Sequence, residues 1–224
     1  MFIIKVLNQI FIFFVLILLS NFCFAQSSEL KGWSSVEYGF DINKILKIDL
    51  SQHFRLKEDL NVVDTYITES EISYEPIKSL TLLGQLRYYI RNDNVGGIQG
   101  FENMMRYRFG IEKKLNSNKL NFELRVAYQN RFSLDRENRF KKRIRIRPLI
   151  ELKMIDWTNN PKIYFEYFDE IKGNEQKVYR YGISKKINTN KSQSITLRYL
   201  YQKYIEKYSS NSSANIISIK YSFN

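Results

Sequence analysis

The chain has 224 residues, 44% hydrophobic and 15% aromatic, with 35 Lys and Arg against 23 Asp and Glu and a formal net charge of +12. A single cysteine and a single histidine exclude an intrachain disulfide and a zinc site built from several imidazoles. Carboxylate and serine chemistry stay open.

The amino terminus reads as an export signal. Lys5 gives the positive start, and an apolar run follows from Val6 through Leu19 with only Asn8 and Gln9 polar. The run is short for a bilayer-spanning helix and ends at Cys23-Phe24-Ala25, a small-x-small cleavage pattern. Phe22 before Cys23 does not suit a lipoprotein signal. Cleavage is expected after Ala25, leaving a signal peptide over 1–25 and one domain over 26–224. It removes the only cysteine, and with it thiolate metal sites and cysteine nucleophiles. Lys5 is the only charge lost, so the mature chain keeps +11.

Mean hydropathy is −0.38, and no stretch after residue 25 suits a membrane helix. A wall with a lipid side and a wet side gives such an average, because half its positions face inward. A basic, aromatic-rich chain would also suit nucleic acid. Export argues against that partner, and so does the alternation of arginines with apolar residues along strands. No cofactor and no metal are expected.

From residue 33 onward nearly every segment alternates with period two, the mark of a two-faced strand. Residues 33–40 start the series, and Asp49, Ser51 and His53 share one face of the next segment. In residues 80–91, Leu80, Leu82, Gly84, Leu86, Tyr88 and Ile90 oppose Thr81, Leu83, Gln85, Arg87, Tyr89 and Arg91. Met105, Tyr107, Phe109 and Ile111 then oppose Arg106, Arg108 and Glu112. Leu120, Phe122, Leu124 and Val126 oppose Asn121, Glu123 and Arg125. Ile144, Ile146, Ile150 and Leu152 oppose Arg143, Arg145, Arg147 and Glu151. Ile195, Leu197 and Tyr199 oppose Thr196 and Arg198, and finally Ile217, Ile219, Tyr221 and Phe223 oppose Ser218, Lys220 and Ser222.

Several runs exceed ten residues, against about five or six for soluble strands, and a tilted strand needs roughly 9–11 to cross hydrocarbon. Length therefore favours an all-β transmembrane barrel, antiparallel and up-and-down. In lipid every backbone polar group must be paired, so a spanning sheet has to close. Tight connections read at Glu75-Pro76-Ile77-Lys78, Asn116-Ser117-Asn118-Lys119, residues 156–161 and Asn188-Thr189-Asn190-Lys191. Longer or wetter ones read at 92–100, 133–139, 172–176 and 207–212. About eleven strands are legible. Single-chain bacterial barrels are usually even-numbered, so the expectation is ten to twelve.

The most distinctive stretch is Arg136, Arg139, Lys141 and Lys142 running into Arg143, Arg145 and Arg147. One reading is a basic rim leading into the inward face of a strand. In the sharper one, Arg136, Arg139, Lys141 and Lys142 contact phosphates of lipopolysaccharide, which guanidinium groups bind bidentately. Arg106, Arg108, Glu123, Arg125, Arg143, Arg145, Arg147, Glu151 and Glu166 are expected to form a lumen charge network, with Glu170 as a further partner. The first function is thus a non-enzymatic barrel, acting as a narrow channel or as a structural component of the outer membrane: if the charges pair they hold the wall, and if some arginines lack partners a weakly anion-preferring pore follows.

His53 raises a second function, a lipid hydrolase of the Ser-His type, although no serine stands in a motif and Ser51 and Asp49 stand parallel to it on one strand. Glu69 and Glu71 read as lumen polar residues. Tyr164, Tyr167, Tyr179, Tyr181, Tyr199, Tyr201 and Tyr204 suit interfacial girdles as well as a sugar surface. Asn211-Ser212-Ser213 matches a glycosylation sequon that says little in a bacterial setting. A third function, an exported soluble β protein that binds a ligand or partner, stays open. Ile219-Lys220-Tyr221-Ser222-Phe223 is similar to the terminal strand signal read by barrel-insertion machinery, with Asn224 after the aromatic and Ser218 at the usual glycine.

Gly32-Trp33-Ser34-Ser35-Val36-Glu37-Tyr38 and Asp49-Leu50-Ser51-Gln52-His53-Phe54-Arg55-Leu56 together resemble the DUF2490 family of small outer-membrane barrels. So do Ser73-Tyr74-Glu75-Pro76, Gly84-Gln85-Leu86-Arg87-Tyr88-Tyr89 and the arginine-rich hairpin 125–147. The resemblance covers the mature chain. It implies outer-membrane lipids as surroundings and brings no catalytic residues. Oligomeric state is not legible.

Overall fold

The computed structural model describes residues 28–94, 99–137, 139–154, 160–172, 176–205 and 212–223. The export signal with its cleavage site, and Asn211 of the sequon, lie outside them. Eleven strands are present among the described residues: β1 (Ser28–Asp41), β2 (Leu46–Lys57), β3 (Val62–Ile77), β4 (Leu80–Asp93), β5 (Gly100–Asn116), β6 (Leu120–Ser133), β7 (Phe140–Leu152), β8 (Pro161–Lys172), β9 (Lys177–Asn188), β10 (Gln193–Ile205) and β11 (Ser212–Phe223). They range from 12 to 17 residues, long enough to cross hydrocarbon even when strongly tilted.

Each strand pairs antiparallel with its sequence neighbour, and the sheet closes into a barrel. The closing pair, β1 with β11, is parallel, from Ser28↔Ser213 to Tyr38↔Phe223. An odd number of strands imposes this: after ten reversals β11 runs the way β1 began. The expectation of an antiparallel wall throughout is therefore corrected at one seam. Side chains fasten that seam. Glu37 accepts from Lys220 Nζ at 2.8 Å and from Ser222 Oγ at 3.3 Å, and Asn215 Nδ2 donates to Ser28 Oγ at 3.1 Å.

The wall is inside-out relative to a soluble sandwich. Phe109 is 62% exposed and Ile111 54%, whereas Glu102 is 1% and Glu166 and Arg108 are each 3% exposed. Leu82, Leu86, Leu124, Val126, Ile144, Ile146, Ile163, Ile217 and Ile219 continue the exposed belt. Removing this apolar surface from water requires lipid around the cylinder, and the charges are tolerated because they point in. Aromatic pairs gather at the two margins of the belt. Tyr38 lies 4.5 Å from Phe40 and 6.3 Å from Phe223, across the seam. Phe54 lies 5.3 Å from Tyr66, and Tyr167 lies 5.1 Å from Tyr179. Of the tyrosines noted in the sequence, Tyr164 and Tyr204 instead line the interior.

The stagger of the ladder is large. Following direct partners from Asp41 through Lys47, Ser73, Leu83, Gly110, Ala127, Arg145, Phe168, Val178 and Tyr204 leads to Ser212, beside the far end of β1. A climb of one strand length per circuit is the tilt that a closed barrel demands. The expected alternation of connection lengths is weaker than the residues suggest: eight residues separate β7 from β8, where 156–161 read as a tight connection, most of which lies outside the described residues.

Two features mark the wall locally. Pro148 has no N–H to give, and the β7–β8 ladder skips from Ile146↔Tyr167 to Leu149↔Tyr164 around it. Gln52 and Thr68 are polar on the outward face, midway along β2 and β3, where Thr68 Oγ1 donates to Gln52 Oε1 at 2.8 Å. An amide facing acyl chains is costly even with one bond made. The double variant Gln52→Leu/Thr68→Val is expected to raise stability in phospholipid vesicles by about 1 kcal/mol, since replacing both partners leaves nothing unpaired. A lower urea midpoint would contradict this placement of the pair.

Candidate functional site

The inward face is set by strand parity. Odd residues of β1–β4, β6 and β7 and even residues of β5 and β8–β11 point to a lumen cavity of about 1030 Å³. Its lining carries 18 Lys and Arg against eight Asp and Glu. Glu151 and Glu170 add two acids from behind, holding Lys162 at 3.5 Å and Lys141 at 3.0 Å. Cations still dominate.

Most of the expected network meets carboxylates. Arg125 donates to Glu112 (Nε–Oε2 2.7 Å), and Arg147 pairs with Glu123 and lies 3.7 Å from Glu112. Arg145 pairs with Glu166, which also accepts from Arg180 Nη1 at 2.7 Å. Arg180 in turn donates Nε to Gln202 at 2.8 Å. Arg108 pairs with Glu71, and Arg143 bonds Gln176 with Glu170 at 3.7 Å. Glu112, Arg87 and Arg180 complete the network although they were not singled out in the sequence. Glu112 and Arg87 had a readable signal in the alternation of β5 and β4. Arg180 had little, because Val178 and Gly182 flank it on the same inward face.

Two inward apolar clusters narrow the lumen: Ile67, Tyr89 and Met104 on one side, and Tyr164, Leu200, Ala214 and Ile216 with Trp33 and Leu149 on the other. Gly182 permits the second. A Cβ there would lie 2.5 Å from both Tyr164 Cζ and Leu200 Cδ2. Guanidinium groups lie over several of these rings. Arg55 Cζ is 4.2 Å and Arg180 Cζ 5.2 Å from the Trp33 ring, and Arg198 Cζ is 5.6 Å from Tyr164. Such contacts hold an arginine in place while leaving its N–H edge free for an anion. Among the described residues, Arg55, Arg131 and Arg198 have no carboxylate within 4.0 Å.

One row of direct cross-strand partners concentrates charge. Glu69 on β3 faces Arg87 on β4, which faces Arg106 on β5, then Arg131 on β6 and Lys141 on β7. Glu69 binds Arg87 and stands 4.0 Å from Arg106. Four cations in direct register are unfavourable without anions among them.

The residues considered for lipopolysaccharide divide. Arg136 and Arg139 each place Nη1 3.2 Å from Asp93, and Arg139 also reaches Glu102 at 2.8 Å. Lys141 turns inward to Glu170. Lys142 alone of the four lies on the outward face, 5.7 Å from the Phe140 ring. His53 stands on the lumen face with Nε2 3.9 Å from Glu69 Oε1, and the neighbouring Ser51 Oγ points to Glu37 at 3.5 Å. No serine–histidine pair forms on this strand.

No curated protein matches the sequence. Among solved structures, an anion-selective porin from Comamonas acidovorans is similar over 81% of this chain at 9% identity with a TM-score of 0.40. The match takes in 54% of the porin, so the chain spans about half its length. The profile of the family described as protein of unknown function DUF2490 matches residues 30–212, and the chain belongs to that family.

Proposed function

We propose that this protein is a non-enzymatic outer-membrane barrel whose lumen is a narrow conduit preferring anions. The observation that carries the reading is the excess of cations on the cavity wall, 18 against eight, together with Arg55, Arg131 and Arg198, which lack carboxylate partners among the described residues. Fixed positive charge in a confined polar lumen draws anions in and repels cations. The apolar clusters narrow the path, which favours small solutes. A hydrolase reading has less support, since His53 points into the lumen, away from lipid.

In this reading the rim where β11 ends, ringed by Tyr38, Phe40 and Phe223, faces the periplasm. The opposite rim, with Arg136, Arg139 and Lys142, faces outward, and Lys142, on the lipid side of the wall, would be the residue to meet lipopolysaccharide phosphates. The test is reconstitution of the refolded barrel in a planar bilayer under a tenfold KCl gradient. A reversal potential of the sign set by chloride is expected. A cation-selective potential, or no conductance from a heat-modifiable folded protein, would overturn the proposal.

A further inference from the structure

Within the row Glu69–Arg87–Arg106–Arg131–Lys141, the two end cations have close carboxylates, Arg106 has one only at 4.0 Å, and Arg131 has none among the described residues. Arg87 has Glu69 and Lys141 has Glu170 at 3.0 Å. Arg106 reaches only Gln85 Oε1 at 2.5 Å, with Glu69 at 4.0 Å. Arg131 has no carboxylate within 4.0 Å among the described residues. Yet Arg106 and Arg131 are direct partners on adjacent strands, a placement that brings Cα atoms to about 4.5–5.5 Å. Two like charges so placed repel unless something negative lies between them.

We infer that Arg106 and Arg131 form a binding site for a dianionic tetrahedral oxyanion, inorganic phosphate or a small phosphate monoester, in the half of the lumen nearer the rim that carries Arg136 and Arg139. The inference rests on the anion-preferring reading of the lumen and names the anion that the lumen selects. Two features point to phosphate over chloride. Two adjacent guanidinium forks present paired N–H donors that match the edges of a tetrahedral oxyanion, whereas a halide offers one charge and no edges. One dianion neutralises both cations at once. Tyr89 is buried beside this pair, packed with Ile67 and Met104, and Arg106 Cζ lies 5.7 Å from its ring. A buried aromatic ring thus forms one wall of the site and holds Arg106 in place.

The experiment is calorimetric titration of the refolded barrel in detergent with inorganic phosphate at pH 8, at constant ionic strength in KCl, paired with block of the chloride current. Phosphate is expected to bind one per barrel and to reduce the current. Arg131→Gln should weaken binding about ten- to hundredfold, the loss expected for one charge-assisted contact. Arg131→Lys keeps the charge but not the fork, so it should fall between the two, and it carries the test if the glutamine variant does not fold. Lys162→Gln removes the same charge at the other rim and should leave phosphate affinity within twofold. Equal weakening by Lys162→Gln and Arg131→Gln would mean that overall charge, not this site, holds phosphate, and would refute the inference. So would a wild-type barrel that passes chloride but does not bind phosphate, which leaves the channel reading intact. Phosphate binding to a barrel without conductance supports the site and refutes the channel.

Discussion

Val126→Arg is expected to lower the folding free energy of the barrel in phospholipid vesicles by about 2–4 kcal/mol, the cost of a guanidinium on the lipid face near mid-height. Val126 is 44% exposed, lies midway along β6 and pairs directly with Ile111 and Ile146. Its immediate neighbour Arg125 points the other way and is bonded to Glu112. One position along the same strand thus separates a welcome arginine from a forbidden one. The measurement is equilibrium urea unfolding in vesicles, followed by tryptophan fluorescence and by gel mobility with and without heating. A soluble barrel would accept the arginine at an exposed strand position with little change, so an unchanged midpoint would remove the membrane from the account.

Glu166→Gln is the second large effect. Glu166 is 3% exposed and is shared by Arg145 on β7 and Arg180 on β9. Phe168, two residues further on the same face, lies 5.2 Å from Arg145 Cζ and 5.0 Å from Arg180 Cζ. Withdrawing the negative charge leaves two cations close together beside an apolar ring. Breaking a buried pair costs about 3–5 kcal/mol, and the wet lumen puts the expected loss near the lower end. The same variant adds one unit of positive charge to the wall, so the anion preference of the current should increase. The two readouts separate roles: a stability loss without a selectivity change would make Glu166 purely a brace. A loss below about 1 kcal/mol would mean that lumen water screens the pair as it does at a surface.

Sidedness was legible because charge and apolarity alternate cleanly in β4 to β7, where every arginine from Arg87 to Arg147 on the polar parity points inward. The seam was not. Residues 33–40 read as a strand from Val36, Tyr38 and Phe40 opposite Ser35 and Glu37, but no local pattern says which strand the first one meets. Closure is a property of the whole circuit and of its stagger, so the odd count looked like an error when it was a parallel pair. Salt-bridge partners were legible only between adjacent strands. Glu71 reaches Arg108 across the intervening Gln85, and Asp93 gathers Arg136 and Arg139 from beyond β5. On the concave side of a cylinder side chains converge, so a long arginine spans a neighbour that would keep such residues apart on a flat sheet. This convergence also draws Arg136, Arg139 and Lys141 toward carboxylates at the mouth, in line with the reading of a basic rim leading into the inward face and away from the lipopolysaccharide contact considered beside it.

The side-by-side direction of the first and last strands fixes the traffic of the polypeptide. A path that crosses a wall an odd number of times finishes across from where it started, so Ser28 and Phe223 lie at opposite rims of the barrel. In an even meander both ends share a compartment and the closing strands zip as one more hairpin. Here the final join unites residues nearly two hundred positions apart with no turn to guide them, and the bonds from Glu37 and Asn215 stand in for that missing turn.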